Sequence, residues 1–153
     1  MNLFPAFGLG AITGMRSMMA LAFVSDQAKK EKHRNDNPAL NFLTQPQVTT
    51  ALKAMAAGEV IMDKMPFTPN RTDAAPLIGR LVLGGLVGAA ISKDKWIQGG
   101  VVGALGALLA TYTAFYIRKT LHDRHIPNVV LGVAEDAIVA KAADTLVERY
   151  ELA

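Results

Sequence analysis

The feature that most constrains this chain is an uncharged, mostly apolar run of 21 residues, Ile97–Ile117. As an α-helix it would be about 31 Å long, which matches the ~30 Å hydrocarbon core of a bilayer. Trp96 precedes the run and Arg118–Lys119 follow it, as is typical of residues that anchor a helix at the membrane interface. A chain of 153 residues is too short to enclose several such helices in a soluble core, so the run predicts a membrane span.

Four further segments are predicted to be helical. Leu77–Ile91 carries only Arg80, and the short polar turn 92–95 joins it to the first run, so the two form an antiparallel hairpin. Asn2–Ser25 carries only Arg16, and no Lys or Arg precedes it, so a retained helix is expected rather than a signal peptide. The predicted organisation is one membrane domain, 1–153, with helices at about 2–25, 47–65, 76–92, 96–118 and 127–147, and a polar loop at 26–46.

The distribution of positive charge bears on the number of spans. With four spans, the segments 26–75 and 118–125 lie on one side and carry ten Lys and Arg, against three on the other. This asymmetry favours four spans with both termini outside. If 47–65 also spans, the two sides carry similar numbers, so five spans remain an alternative. The prediction is an all-α, multi-pass integral membrane bundle of four or five short, glycine-rich helices in the inner (plasma) membrane.

Small residues recur at a spacing of four within the apolar runs. Because lipid offers no hydrophobic drive for helices to associate, close contact through small residues supplies much of the attraction. The faces could pack within the chain or form a homo-oligomer. The pairs are Gly10 and Gly14, Gly84 and Gly88, Gly99 and Gly103, and Gly106 and Ala110.

Charged residues at membrane depth are the candidates for function, because each costs ~2.5–3.5 kcal/mol on insertion scales. Arg16 lies too deep in its run to reach the headgroups, and a carboxylate from Glu59, Glu135 or Asp136 is expected within ion-pair reach. Arg80, one turn inside its helix, is expected to reach the headgroups. Arg71 lies in a proline-rich linker and could contact a phosphate. The full candidate set for a polar network or transport path is Arg16, Glu59, Asp63, Lys64, Arg71, Arg80, Glu135 and Asp136.

Several chemistries are not expected. The absence of cysteine excludes disulfides, iron–sulfur clusters and thiol nucleophiles. His122 and His125 flank Asp123 but lack the further ligands of a metal site. The pI of about 9.3 does not indicate nucleic-acid binding, because no basic stripe with interleaved aromatics occurs. No nucleotide-binding or hydrolase motif is present, so no catalytic residue, cofactor or metal is predicted.

Taken together, five segments resemble a widespread bacterial family of small polytopic membrane proteins known only as a domain of unknown function, DUF4126. The resemblance covers nearly the whole chain and implies a membrane protein without naming a substrate. It also implies that 47–65 spans or is embedded, although Thr49, Thr50 and Lys53 make that segment more polar here. The matching segments are Gly10–Ser17, Gly58–Pro66, Thr68–Thr72, Gly79–Arg80 and Ala134–Ala137.

Two functions are compatible with these patterns. The first is a small transporter or channel-like protein that uses the buried Arg/Glu/Asp set. The alternative is a non-catalytic scaffold or accessory subunit of a larger membrane complex, in which the charges serve assembly. Membrane lipid is the expected partner in either case, with a homo-oligomer or a larger complex as the assembled form.

Overall fold

The computed structural model describes residues 3–30, 38–62, 74–92, 95–122 and 128–149. Within these ranges the prediction of an all-α fold is confirmed, since they hold helices and no strand. The number of helices is seven in the described residues, rather than the four or five predicted. They are α1 (Phe4–Met15), α2 (Met19–Lys30), α3 (Pro38–Leu43), α4 (Pro46–Met62), α5 (Ala74–Ile91), α6 (Trp96–His122) and α7 (Asn128–Arg149).

The two extra helices arise because one predicted helix is divided in two and one predicted loop is partly helical. The predicted helix 2–25 divides at Arg16, whose extended backbone (φ −137°, ψ 104°) ends α1. The predicted polar loop 26–46 is helical at its start, where α2 continues to Lys30, and again in the short α3. Lys29 and Lys30 lie in the last turn of α2, where cations interact favourably with the helix dipole and support this longer helix.

Glycines bring α1, α5 and α6 into close backbone contact. A Cβ atom at Gly88 would overlap the carbonyl oxygen of Gly99, and one at Gly10 would overlap that of Gly103. The predicted α5–α6 hairpin is therefore confirmed, and α1 packs along both of its helices. The glycine faces are occupied by helices of the same chain, so intramolecular packing is the alternative that the structure shows.

The remaining helices pack against this three-helix unit and against one another. α2 contacts α4 and α7, and α3 contacts α5 and α2. α7 lies against α1 and α2 and touches α6 only sparsely. The buried core between these helices is formed by aliphatic side chains such as Leu9, Leu21, Val24, Val87 and Val139.

Two helices, α5 and α6, are long and apolar enough to cross a membrane. Only 28% of the residues in the 18-residue apolar stretch of α5, and 22% of those in the most apolar 18 residues of α6, are buried within the fold. A core helix of a soluble protein would be mostly buried, whereas α6 exposes the stripe Ile97, Val101, Leu105 and Leu109 at a spacing of four. α1 is apolar but has 12 residues, about 18 Å, which is too short to span a ~30 Å core alone. Among the described helices, two rather than four or five therefore qualify as spans.

Candidate functional site at the α1–α2 break

The break between α1 and α2 lies beside the middle of α6. The Thr111 hydroxyl donates to the carbonyl oxygen of Gly14 at 3.0 Å, and Gly14 packs directly on Ala107. Ala107 is the central residue of the uncharged run 97–117. The hydroxyl thus satisfies one of the carbonyls left without a helical partner at the end of α1. The irregular backbone that follows is level with the most apolar part of the fold.

Arg16 occupies the break and forms an ion pair with Asp136 of α7. Its side chain is 1% exposed, and a terminal nitrogen of the guanidinium group contacts the Asp136 carboxylate. The backbone N–H of Arg16 still donates to Ile12 at 2.7 Å, so the residue completes the last turn of α1 before the chain turns away. The prediction that Arg16 faces the interior and meets one of the three carboxylates is confirmed.

Glu59 of α4 caps the start of α2. Its two carboxylate oxygens accept hydrogen bonds from the backbone N–H groups of Ser17 and Met18, at 2.8 and 3.0 Å. The first N–H groups of a helix lack intrahelical partners and carry a partial positive charge, which a carboxylate stabilises. Caps of this kind usually come from a residue beside the helix in sequence. Here the capping carboxylate comes from a different helix.

Arg80 of α5 reaches the same segment from the opposite side. Its Nε donates to the Ser17 hydroxyl at 3.2 Å, and the residue is 6% exposed. The prediction that Arg80 extends to the headgroups is therefore wrong. The hairpin packing explains the difference, because Gly84 lies against Gly103 and Ala107 and so places Arg80 level with the middle of α6. From that depth the side chain turns inward to polar partners.

A second ion pair lies at the edge of the network. Arg118 of α6 pairs with Glu135 of α7, which is the neighbour of Asp136. This pair spans the sparse contact between α6 and α7, with Arg118 26% exposed. Glu135 and Asp136 thus link a partly exposed ion pair to the buried Arg16. Both carboxylates are mostly buried, with side-chain exposures of 11% for Glu135 and 18% for Asp136.

Of the predicted candidates, five are brought together and three lie outside the described residues. Arg16, Glu59, Arg80, Glu135 and Asp136 surround the break, whereas nothing is described for Asp63, Lys64 or Arg71. His125 also lies outside the described residues.

Three further residues were missed by the sequence analysis. Ser17 was not singled out, Thr111 was one of several hydroxyls in a span, and Arg118 was interpreted as an interfacial anchor. The signal for Ser17 was its position next to Arg16. The signal for Arg118 was that polar residues continue directly after the apolar run.

The arrangement balances charge and holds an irregular segment of backbone. Within the described part of the network, Arg16 pairs with Asp136 and Arg118 with Glu135. Glu59 accepts from backbone N–H groups, and Arg80 donates to the Ser17 hydroxyl. No group of three or more His, Cys, Asp or Glu residues there could hold a metal ion. Neither serine nor threonine at the break is paired with a base.

Comparison with known proteins identifies a family for the chain but no function. No curated protein and no solved structure matches the chain. The family described as a domain of unknown function (DUF4126) matches residues 3–144, which includes the break, the α5–α6 hairpin and the paired carboxylates Glu135 and Asp136 of α7. The segments that resembled this family in the sequence are therefore parts of one continuous match, and the chain belongs to the DUF4126 family.

Proposed function

We propose that the chain is a small multi-pass protein of the inner (plasma) membrane that moves a small ion or a proton along the polar network at the α1–α2 break. The α5–α6 hairpin crosses the bilayer, and α1 lies against it within the hydrocarbon region. The exposed apolar stripe of α6 and the low burial of both candidate spans support this placement.

The observation that carries the proposal is the position of the break. Discontinuous helices near the bilayer midplane, with irregular backbone and charged groups at the helix ends, recur at the binding sites of transporters. Irregular backbone is tolerated at that depth only where it is buried in protein or lines a water-filled cavity. Here the end of α1 is level with Ala107, and the start of α2 is capped by the carboxylate of Glu59.

The connected carboxylates suggest a route for the transported species. Glu135 contacts Arg118, which is partly exposed at the surface. Asp136 is the next residue in the chain and contacts Arg16. Intramembrane carboxylates of this kind mark ion paths and proton relays. In this proposal Glu135 receives the ion or proton, and Asp136 passes it to the segment between Arg16 and Met18.

Purified protein in liposomes provides the test. An imposed proton or potassium gradient should drive flux through the wild-type protein, and the near-isosteric changes Asp136→Asn and Glu59→Gln should abolish most of it. Asp26→Asn is the matched control, because Asp26 is a carboxylate of α2 that pairs with Lys53 away from the network. Circular dichroism should show that all three variants remain helical. Absence of flux through the wild-type protein, or equal loss in Asp26→Asn, would contradict the proposal.

The scaffold alternative is supported by a different observation. The cations and carboxylates of the described network match one another, as they do in ion-pair networks that fix helix register. Under this alternative the same variants lose stability, and no gradient drives flux through any of them. The liposome assay therefore separates the two functions directly.

A further inference from the structure

A groove on the outer face of α1, α6 and α7 runs beside the network and meets it only at the Arg118–Glu135 ion pair. It consists of two adjoining cavities of about 250 and 240 Å³, which share the lining residues Met15, Ala114 and Ile117. The first cavity lies between α1 and α6 and is apolar except for Thr113. The second continues between α6 and α7 and ends at Arg118 and Glu135. The two form one continuous groove with a charged end.

The shape of the groove follows from the small residues of the two helices. Ala11, Gly106 and Ala110 line it and are buried or half-buried, whereas Phe7 and Leu109 stand exposed beside them. Small residues therefore form the floor and large apolar ones the rim. A slender, flexible apolar chain fits such a channel, whereas a helix with its side chains is too wide for it.

The length of the groove matches one leaflet. From Gly106 to Ile117 it follows α6 for roughly 16 Å, and half of a ~30 Å hydrocarbon core is about 15 Å. Arg118 follows directly at the end of the apolar run, with the exposed Lys119 beside it. A lipid whose acyl chain fills the groove would carry its phosphate to the level of these two cations.

We propose that this groove is a binding site for one anionic phospholipid, with an acyl chain between Phe7 and Ile117 and the phosphate on Arg118. An arginine has five N–H donors, so Arg118 can contact Glu135 and a phosphate together. A lipid held there lies against the sparse α6–α7 contact and supports the ion pair that spans it. The inference rests on the membrane placement made under the proposed function.

Photo-crosslinking in bilayers tests the site. The wild-type protein is reconstituted in phosphatidylcholine containing a trace of phosphatidylglycerol with a diazirine on its acyl chain, and labelled residues are identified by mass spectrometry. Labels should concentrate on groove residues of α1 and α6. Unlabelled phosphatidylglycerol should compete roughly fivefold better than phosphatidylcholine, as expected for one cation near an anionic headgroup.

Two variants separate the acyl chain from the headgroup. Ala110→Phe fills the groove and should abolish its labelling. Val101→Phe is the matched control, because Val101 is exposed on the same helix and does not line the groove. The double change Arg118→Gln with Glu135→Gln keeps the charge balanced and should lower the preference for phosphatidylglycerol to the part that Lys119 supplies, while retaining the acyl-chain labels.

The outcomes distinguish this inference from the function on which it rests. Uniform labelling of a membrane-embedded protein, or equal competition by both lipids, would overturn the lipid site alone. A wild-type protein that stays monomeric and folded without detergent would instead overturn the membrane placement.

Discussion

Arg16 combines two tasks at one position, since its backbone ends α1 and its side chain neutralises Asp136. The residue is almost fully buried, and its partner lies on a helix 120 positions further along the chain. A buried charge without a partner is costly, so the ion pair and the break depend on each other. The next two residues, Ser17 and Met18, donate their backbone N–H groups to Glu59, and Arg80 donates to the Ser17 hydroxyl.

Changing Arg16 to Leu should lower the free energy of unfolding by about 3 kcal/mol, because the Asp136 carboxylate, which is 18% exposed, is left mostly buried without its cation. Thermal or denaturant unfolding in detergent measures the loss. The double variant Arg16→Leu with Asp136→Leu should recover a large part of it, since neither charge then remains. Strictly additive effects of the two changes would show that the residues do not interact.

Changing Glu59 to Ala should cost about 2 kcal/mol, as expected for hydrogen bonds to a charged acceptor, and Glu59→Gln should cost less because its amide oxygen still accepts. Amide hydrogen exchange at Ser17 and Met18 reports the cap directly and should accelerate in the alanine variant. Met55→Ala, at an exposed position of the same helix, should stay within about 0.5 kcal/mol of the wild type. Unchanged exchange at both amides would rule out the cap.

At the scale of helices, glycine sets how closely α1, α5 and α6 approach one another. The packing at Gly88 and Gly99 is backbone against backbone, so a side chain has no space to enter. Gly79 lies on the same helix as Gly88, yet a Cβ there meets no atom within 4 Å. Gly88 is therefore needed for the close packing of α5 on α6, whereas Gly79 is not.

Gly88→Ala should destabilise the protein by about 1–3 kcal/mol, because the new methyl group forces α5 away from α6. Gly79→Ala should be neutral or stabilising by up to about 1 kcal/mol, since alanine is the better helix former and meets nothing. Melting temperatures of both variants in the same detergent provide the comparison. Equal effects of the two changes would contradict the close packing of the hairpin.

A surface ion pair joins α2 to α4 and predicts a small pH dependence. The Lys53 ammonium, and then that of Lys30 at 3.1 Å, lower the pKa of the Asp26 carboxyl below its usual 3.8. The folded state therefore releases the Asp26 proton at lower pH than the unfolded state does. This contribution to stability is complete above the unfolded pKa and is lost as the pH falls through the lower folded value.

Lys53→Met should accordingly reduce stability at pH 7 by less than about 1 kcal/mol, the usual range for exposed pairs. The difference from the wild type should disappear once the pH falls well below 4 and Asp26 is protonated in both proteins. Unfolding curves recorded from pH 7 to pH 3 measure it. A difference that persists at the acid end would assign the effect to the lysine stem rather than to the charge pair.

For the molecule as a whole, the decisive property is the apolar surface that the fold leaves exposed. Large aliphatic and aromatic side chains of α1, α5, α6 and α7 face outward, and several, such as Val82, Leu109 and Ile138, are more than half exposed. A contiguous apolar surface of this kind marks a membrane or a protein interface. Without lipid or a protein partner, this apolar surface would be exposed to water.

The protein should therefore be extracted from membranes only by detergent and should aggregate when the detergent is removed, while remaining helical in lipid. Size-exclusion chromatography with and without detergent, combined with circular dichroism, gives the measurement. A folded monomer that remains soluble without detergent or lipid would refute the membrane placement.

The sequence by itself determined the features that depend on local pattern. A 21-residue run without charge specifies a long helix, and the four-residue spacing of small residues specifies how it meets α5. The need of Arg16 for a carboxylate also followed from the sequence, because the cost of a deep charge does not depend on which partner meets it.

Only the tertiary structure decided where α1 ends and which partner each carboxylate contacts. An apolar run with one arginine reads as a continuous helix, and the break at Arg16 exists because Glu59, 42 residues beyond Ser17, supplies the acceptors that start α2 again. Glu135 and Asp136 are neighbours in the chain, but the packing of α7 assigns one to Arg118 and the other to Arg16. Arg80 turns inward because glycine contacts set the register of α5 against α6. These choices involve contacts between distant residues, and their free energies are not encoded in any local window of the sequence.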